Sequence, residues 1–207
     1  VKIKGQAILF DSGIYAVIPD DLDEKLVLAA LDVAGAPAQV KNLAKANDTV
    51  FIIGANGKSG ILCAYQAKKQ IGTKGKIIGL VRKEAQKEML SQMNLFDHII
   101  VGDALNAVDT YEKVSSLTQG KLADLTINVV NVENTEMTSI LSTKDFGTVY
   151  FFSMATSFTK AALGAEGIGK DVLMIIGNGY TEQHAKITLD IMRESQMLRD
   201  LFMLRYA

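Results

Sequence analysis

The stretch that decides the fold is Val50–Ala64, with the sequence VFIIGANGKSGILCA. An apolar run leads into a turn that contains Gly54, Gly57 and Gly60, and a segment with helical spacing follows at once. A buried strand followed by a glycine-rich turn and a helix leaves free N–H groups at the helix N-terminus, where the pyrophosphate of a dinucleotide binds. The stretch therefore predicts a dinucleotide-binding loop, Gly54–Gly60, between a strand and a helix.

The two later glycines have separate predicted roles. Gly57 is expected to let the backbone approach the phosphates, and Gly60 to let helix and strand pack closely. When the G-x-G-x-x-G pattern is aligned on these two, its first glycine falls on Ala55, with Gly54 just before it. Alanine costs little there unless the turn needs a positive φ. The predicted cofactor contacts in the loop are Gly54, Ala55, Asn56, Gly57, Lys58, Ser59 and Gly60.

Two alternatives remain for this loop. One is a structural turn that binds no ligand. The other is a P-loop, because Gly57-Lys58-Ser59 matches the end of that motif. The P-loop pattern also needs a glycine at position 52, where this chain has Ile52, and the loop is too short to wrap a triphosphate.

Strand-like and helix-like segments alternate along the chain. The predicted strands are Thr49–Ile53, Lys76–Val81, His98–Val101, Asp124–Val130, Thr148–Ser153 and Val172–Gly177. The predicted helices between them are Ser59–Ile71, Glu84–Met93, Ala107–Thr118 and Glu136–Leu141. Near-continuous apolar strands are typical of parallel sheets covered on both faces. The pattern predicts an α/β fold, a Rossmann-type doubly wound parallel sheet with helices on both faces.

The N-terminal flank fits this alternation less well. Val1–Pro19 alternates like antiparallel strands broken by a turn at Asp11–Gly13. Asp20–Ala46 has helical spacing, with Asp20 or Asp21 as its N-cap and an interruption at Pro37.

The C-terminal flank is predicted to be helical. Thr181 is the expected cap of a helix over Glu182–Ser195. Gln196–Ala207 is rich in Leu, Met, Phe and Tyr, so this last segment is expected to pack against other parts of the protein.

The end of the second predicted strand bears on cofactor choice. Arg82 and Lys83 stand where an NAD-preferring domain usually has an acid, and two cations favour NADP or tolerance of both cofactors. Alternatively they are a solvated strand end, and Glu84 supplies the acid one residue late. Asp103, after the third strand, is predicted to approach the adenine side, and Asn131, after the fourth, the nicotinamide ribose.

Composition excludes several classes of function. Of 207 residues 48% are hydrophobic, and 22 Lys and Arg balance 23 Asp and Glu, so nucleic acid is not an expected partner. No apolar run is long enough to span a membrane, and no signal peptide is evident, which predicts a cytoplasmic protein. One cysteine and two histidines make no zinc site, so no metal is expected. The chain begins at Val1 and its first methionine is Met89, so a preceding part is expected to be missing.

Over most of its length the chain resembles the zinc-free, quinone-reductase-like medium-chain dehydrogenases/reductases. The resemblance is carried by Ile14–Pro19 with the following Ala29-Ala30, by Gly54–Gly60, and by Phe146–Ser153. More narrowly, three blocks resemble the dehydrogenases of bacterial lysine fermentation that act on 3,5-diaminohexanoate. These blocks are Ala29–Val40, Asn134–Met137, and Tyr150–Ser157 continuing to Ala161–Gly167.

The resemblance implies oxidative deamination of L-erythro-3,5-diaminohexanoate, a small-molecule substrate, to 5-amino-3-oxohexanoate and ammonia. It implies NAD as acceptor, against the NADP reading of Arg82 and Lys83. Ser153, at the end of the fifth predicted strand, is also a predicted cofactor contact. It also implies a missing N-terminal, GroES-like substrate domain, against which the segment after Gly177 would pack. The expected divisions are residual strands of that domain over 1–22, a dinucleotide-binding domain over 23–180 and a helical segment over 181–207.

The catalytic residue is the least determined part of the site. A substrate ammonium must lose a proton before its carbon can give up hydride, so a proton acceptor is needed. Glu136 is the predicted acceptor, with Glu133, Ser153, Thr156 and Ser157 as other candidates. Alternatively Glu136 simply begins a helix capped by Thr135 or Asn134, and the acid/base lies in the missing domain. His98, His184 and Cys63 are expected to be structural or exposed.

Two other functions remain open from the sequence alone. One is a quinone or enoyl reductase, which shares the loop and the lack of zinc. The other is a non-catalytic dinucleotide-binding module. The apolar tail and exposed sheet edges predict a homodimer.

Overall fold

The computed structural model of the protein describes residues 3–177 and 179–206. Within these ranges the chain forms six strands and nine helices. The strands are β1 Thr49–Ile53, β2 Lys76–Val81, β3 His98–Val101, β4 Ala123–Asn128, β5 Thr143–Phe151 and β6 Leu173–Ile176. The helices are α1 Glu24–Leu31, α2 Gly35–Leu43, α3 Lys58–Ile71, α4 Glu84–Ser91, α5 Ala107–Leu117, α6 Glu136–Ser142, α7 Phe158–Gly167, α8 His184–Glu194 and α9 Gln196–Tyr206.

The strands form one sheet in the order β3-β2-β1-β4-β5-β6, and all neighbouring pairs are parallel. The chain order reverses between β1 and β4, so the loops that follow these two strands diverge and leave a crevice at the carboxyl edge. The predicted Rossmann-type doubly wound sheet is confirmed. The loop Gly54–Gly60 follows β1 at this crevice.

Side chains of β1 alternate between the two faces of the sheet. Val50 and Ile52 pack in a core with α1, α2, α3, α8 and α9, whereas Phe51 and Ile53 pack with Val114 of α5. These four side chains are fully buried. Burial on both faces explains why the strand is continuously apolar in sequence.

The N-terminal flank departs from its predicted structure. Residues 3–22 contain the turn, in which the Gly13 N–H donates to the Phe10 carbonyl at 2.8 Å, but no strand forms there. A strand needs a partner for its backbone groups, and the described chain brings none alongside. Residues 3–22 therefore form no strand within the described chain, and their assignment to a substrate domain stays a prediction, while Val1 and Lys2 lie outside the described residues.

The predicted helical segment 20–46 divides into two helices. The N-cap is Asp23 rather than Asp20 or Asp21, because its Oδ1 accepts the N–H groups of Lys25 (2.9 Å) and Leu26 (3.3 Å). Pro37 lies in the first turn of α2, where a missing N–H costs little, so the break precedes it rather than falling on it.

The C-terminal helices pack within this domain. Helix α8 begins after Gln183, which has a φ of 62°, and not at a Thr181 cap. The Thr181 hydroxyl instead donates to Gln39 Oε1 at 3.1 Å. Leu198 and Phe202 of α9 are fully buried in the core shared with β1. The tail packs as predicted, but on the helices of its own domain.

No helix in the described part of the chain is long and apolar enough to cross a membrane.

Asp48, just before β1, offers a pH-dependent stability test. Its Oδ2 accepts the Lys45 N–H at 2.8 Å, and burial raises the pKa of the Asp48 carboxyl. Because the folded-state pKa is above the unfolded value, the charged carboxylate costs stability above the folded pKa. That cost disappears as pH falls through the unfolded pKa.

We therefore expect Asp48→Asn, which keeps the acceptor oxygen, to raise the thermal unfolding midpoint slightly at neutral pH. The gain should vanish in acid, where both proteins carry a neutral side chain. Thermal melts of the two proteins at both pH values measure this difference. A lower midpoint for Asp48→Asn at neutral pH would contradict the expectation.

Candidate functional site

The turn after β1 is made by Gly54. Its φ is +87°, in the region that favours glycine, and an added Cβ would lie 3.2 Å from the Val130 nitrogen. Ala55, where the aligned pattern has its first glycine, is fully buried and has no positive φ. The residue with the positive φ is therefore Gly54, one position before the first glycine of the aligned pattern. An alanine is tolerated at position 55 for this reason.

Gly60 lies where α3 crosses the end of β1. A Cβ built on it would lie 2.3 Å from the Gly54 carbonyl oxygen and 2.8 Å from the Ala55 carbonyl carbon. Both are backbone atoms, so only glycine allows the helix to pack this close to the loop.

Gly57 is not required by the fold in the same way. Its φ and ψ are −77° and 169°, and an added Cβ would meet nothing closer than Gly54 O at 3.5 Å. Gly57 is the N-cap of α3 without a side-chain cap. The N–H groups of the first turn of α3 therefore lack a side-chain partner, which is the arrangement that favours an anion.

A cavity of 280 Å³ opens beside this loop at the carboxyl ends of β1, β2, β3 and β4. Its lining includes four of the predicted cofactor residues, which are Gly54, Asn56, Arg82 and Asp103. The remainder is lined by Leu80, Val81, Gln86, Gly102, Ala104, Leu105, Val130 and Val132. The cavity combines apolar walls with one cation and one acid, which is the mixture expected of a small-molecule site.

The two predicted lysines do not line the cavity. Lys58 Nζ lies 2.5 Å from Asp32 Oδ2 and 5.5 Å from the centre of the Tyr206 ring, so it points toward α1 and α9. The backbone N–H of Lys83 donates to Gln86 Oε1 at 3.0 Å. Arg82 lines the cavity, whereas Lys83 does not.

The remaining predicted contacts lie on the loops after β4 and β5. Asn131 is exposed in the segment after β4. Ser153 follows β5, and its Oγ accepts the Ala155 N–H at 3.1 Å. Neither residue lines the 280 Å³ cavity, so the structure places them apart from the residues grouped there.

Glu136, the predicted proton acceptor, is only 3% exposed. Its Oε1 accepts the backbone N–H of Ser157 at 2.7 Å, which joins the start of α6 to the cap of α7. Glu136 is also the first residue of α6, directly after the N-cap Thr135. Glu133 is exposed in the preceding loop.

Two residues that shape the site were not predicted. Gln86 Oε1 accepts the N–H groups of both Arg82 and Lys83 at 3.0 Å, which fixes the end of β2. Asn128 is buried, and its Nδ2 donates to Thr135 Oγ1 and Ser139 Oγ at 2.9 Å, which holds the loop after β4. A glutamine at the third position of a helix and a polar residue in an apolar strand were the available signals.

Burial raises the pKa of the Cys63 thiol, which is fully enclosed in α3. Among residues 3–177 and 179–206, no group of three His, Cys, Asp or Glu side chains is arranged to hold a metal ion.

The fold and its loop define a Rossmann-type α/β protein. Over 202 residues, 98% of its length, the chain is 59% identical to the L-erythro-3,5-diaminohexanoate dehydrogenase of Acetoanaerobium sticklandii. It is 56% identical over the same coverage to the enzyme of that name from Fusobacterium nucleatum. The resemblance to diaminohexanoate dehydrogenases is thereby confirmed. The chain spans 59% of the length of each relative. No protein-family model matches the chain.

Solved structures show the same fold at low sequence identity. The crystal structure of AibC matches 86% of this chain and 52% of its own, with a TM-score of 0.69 and 19% identity. An alcohol dehydrogenase from Thermotoga maritima matches 89% and 51%, with a TM-score of 0.68 and 15% identity. A mycobacterial protein complexed with NADPH matches 92% and 57%, with a TM-score of 0.63 and 18% identity.

Proposed function

We propose that the protein catalyses the NAD(P)-dependent oxidative deamination of L-erythro-3,5-diaminohexanoate to 5-amino-3-oxohexanoate and ammonia in lysine fermentation. The observation that carries this proposal is the 59% identity over 98% of the chain to a dehydrogenase of that name. The glycine-rich loop and the adjacent cavity support it, because they form a site suited to a dinucleotide.

The described residues fit a nicotinamide dinucleotide. Gly57 has no side chain and α3 has no side-chain N-cap, so the backbone N–H groups of its first turn are open to a pyrophosphate. The cavity beyond Gly54, between Arg82 and Asp103, suits the adenosine half. When bound, the nicotinamide accepts the hydride that leaves C3 of the substrate. The chain supplies position and electrostatics.

The proton acceptor for the substrate ammonium stays a prediction. Glu136 is buried and its Oε1 accepts the Ser157 N–H, whereas Glu133 is exposed. Glu136→Gln and Glu133→Gln, compared in one turnover assay, separate the two residues. A loss of turnover in Glu133→Gln alone would eliminate Glu136 as the acceptor.

The experiment that tests the reaction is a turnover assay on the full-length protein, with the proposed substrate domain present. The protein is incubated with L-erythro-3,5-diaminohexanoate and either NAD or NADP, and reduced nicotinamide and ammonia are measured together. Equal amounts of the two products are expected. Dinucleotide binding without turnover would overturn the proposal and favour a quinone or enoyl reductase or a non-catalytic binding module.

Cofactor choice is proposed to depend on Arg82, with NAD as the expected acceptor and NADP admitted by this cation. Arg82→Gln is expected to weaken NADP binding about tenfold, because a charged hydrogen bond to a phosphate is lost, and NAD binding less than about twofold. Lys83→Gln is the matched control, since Lys83 does not line the cavity. Calorimetric titration of both variants with both cofactors measures the effect. Equal weakening of NADP binding by the two variants would contradict the prediction.

A substrate domain and a second copy of the chain are the proposed partners. Apolar side chains along residues 3–18 are largely exposed, including Ile8 at 86% and Phe10 at 71%, which supports a covering domain. The edge strand β6 exposes Leu173 and Ile176, which supports a homodimer. Static light scattering of the full chain is expected to give twice the monomer mass, and the monomer mass would contradict the dimer.

A further inference from the structure

Arg205 of α9 lies against the loop Gly54–Gly60. Its Nη1 donates to the carbonyl oxygen of Asn56 at 3.0 Å and lies 3.7 Å from Sδ of Met89 in α4. Asn56 also lines the 280 Å³ cavity. The last helix therefore contacts the backbone of the loop that the proposed function assigns to the dinucleotide.

The Arg205 side chain is exposed and lies over the ring of Tyr206, which packs next to the core. Its guanidinium carbon lies 5.0 Å from the centre of the Tyr206 ring, and the centre of that ring lies 5.1 Å from the centre of the Phe202 ring. Phe202 is fully buried. An arginine on a helix anchored in this way has less rotamer freedom to lose when it binds the loop.

The bond from Arg205 acts on one peptide unit. The Asn56 carbonyl and the Gly57 N–H belong to the same planar group, so fixing the oxygen also fixes the direction of the N–H. That N–H donates to Gly54 O at 3.2 Å, so the unit is held at both ends. Gly57 has the backbone freedom to leave this conformation, because it has no Cβ.

The cation within the loop does not perform this task. Lys58 is paired with Asp32 and lies over Tyr206, on the side of α1 and α9. Arg205 is thus a cation from a distant helix bonded directly to the loop backbone.

We propose that Arg205 is a positioning residue for dinucleotide binding. It holds the Asn56–Gly57 peptide in the orientation in which the N-terminus of α3 receives the pyrophosphate. This inference rests on the proposed dinucleotide site.

The test compares three variants of the full chain by calorimetric titration with NAD and with adenosine, which lacks the pyrophosphate. Arg205→Met is expected to weaken NAD binding about five- to tenfold, the effect of one lost hydrogen bond from a charged donor, and to leave adenosine binding unchanged. Arg205→Lys keeps a cationic donor and should stay within about twofold of wild type. Arg199→Met is the matched control, since Arg199 binds the carbonyls of Met192 and Arg193 rather than the loop.

The outcomes separate this inference from the function on which it rests. Wild-type protein that binds neither NAD nor NADP would overturn the proposed function. NAD binding that is unchanged in Arg205→Met, or weakened equally for adenosine, would overturn the positioning role alone.

Discussion

Gly60→Ala is expected to destabilise the protein by about 3 kcal/mol, at the upper end of the usual cost of overpacking. The new Cβ would lie 2.3 Å from Gly54 O and 2.8 Å from a backbone carbon of Ala55. Neither atom can rotate away as a side chain would. Ala55 is itself fully buried, so α3 must move off β1 to make room.

Urea unfolding of Gly60→Ala beside wild type measures this loss, and Gly57→Ala is the matched control. At Gly57 the added Cβ makes only a 3.5 Å contact, so stability should stay within about 0.5 kcal/mol of wild type. If phosphates approach this backbone, Gly57→Ala should nevertheless weaken NAD binding about tenfold. A Gly60→Ala protein as stable as wild type would show that α3 does not pack on the loop in this way.

Phe202→Ala is expected to cost about 4 kcal/mol, the range for removing a fully buried aromatic ring. Phe202 is fully buried in the core that α9 shares with β1 and α3. The ring also meets the edge of Tyr206, so its loss should loosen the end of α9 as well. NAD binding should weaken in parallel, because Arg205 lies on this end of the helix.

Leu204→Ala is the control for Phe202→Ala, since Leu204 is on the same helix but 84% exposed. We expect it to change the free energy of unfolding by less than about 0.5 kcal/mol. Chemical denaturation of both variants gives the comparison. Equal and small losses in the two would mean that α9 is not part of the core in solution.

The central sheet was predictable because its signals are local. Strands β1, β2 and β3 have the predicted bounds, since each is a continuous apolar run. Helix α7 was not predicted, because glycines and an exposed Leu163 obscure its apolar face. Strand β5 begins five residues before the predicted Thr148, in a more polar part where its register with β4 is irregular.

The sequence predicted the position of the loop backbone at the site, but not the directions of the side chains around it. The glycine spacing locates the loop, because Gly54 and Gly60 each answer a local steric demand. Side-chain directions depend on partners distant in sequence. Lys58 turns to Asp32, 26 residues away, and Glu136 to Ser157, 21 residues away. The contact from Arg205 to Asn56 spans 149 residues, so no local pattern indicates it.

That long separation also sets an order of events during synthesis. Asn56 and the strand before it leave the ribosome 149 residues ahead of Arg205. A nascent chain that has already paired β1 with β2 therefore carries a loop whose Asn56–Gly57 peptide is still untethered. Contacts between such distant segments form slowly, because a long loop must close first. The loop Gly54–Gly60 is thus expected to gain its contact from Arg205 late, although the elements on either side of it are among the first to be made.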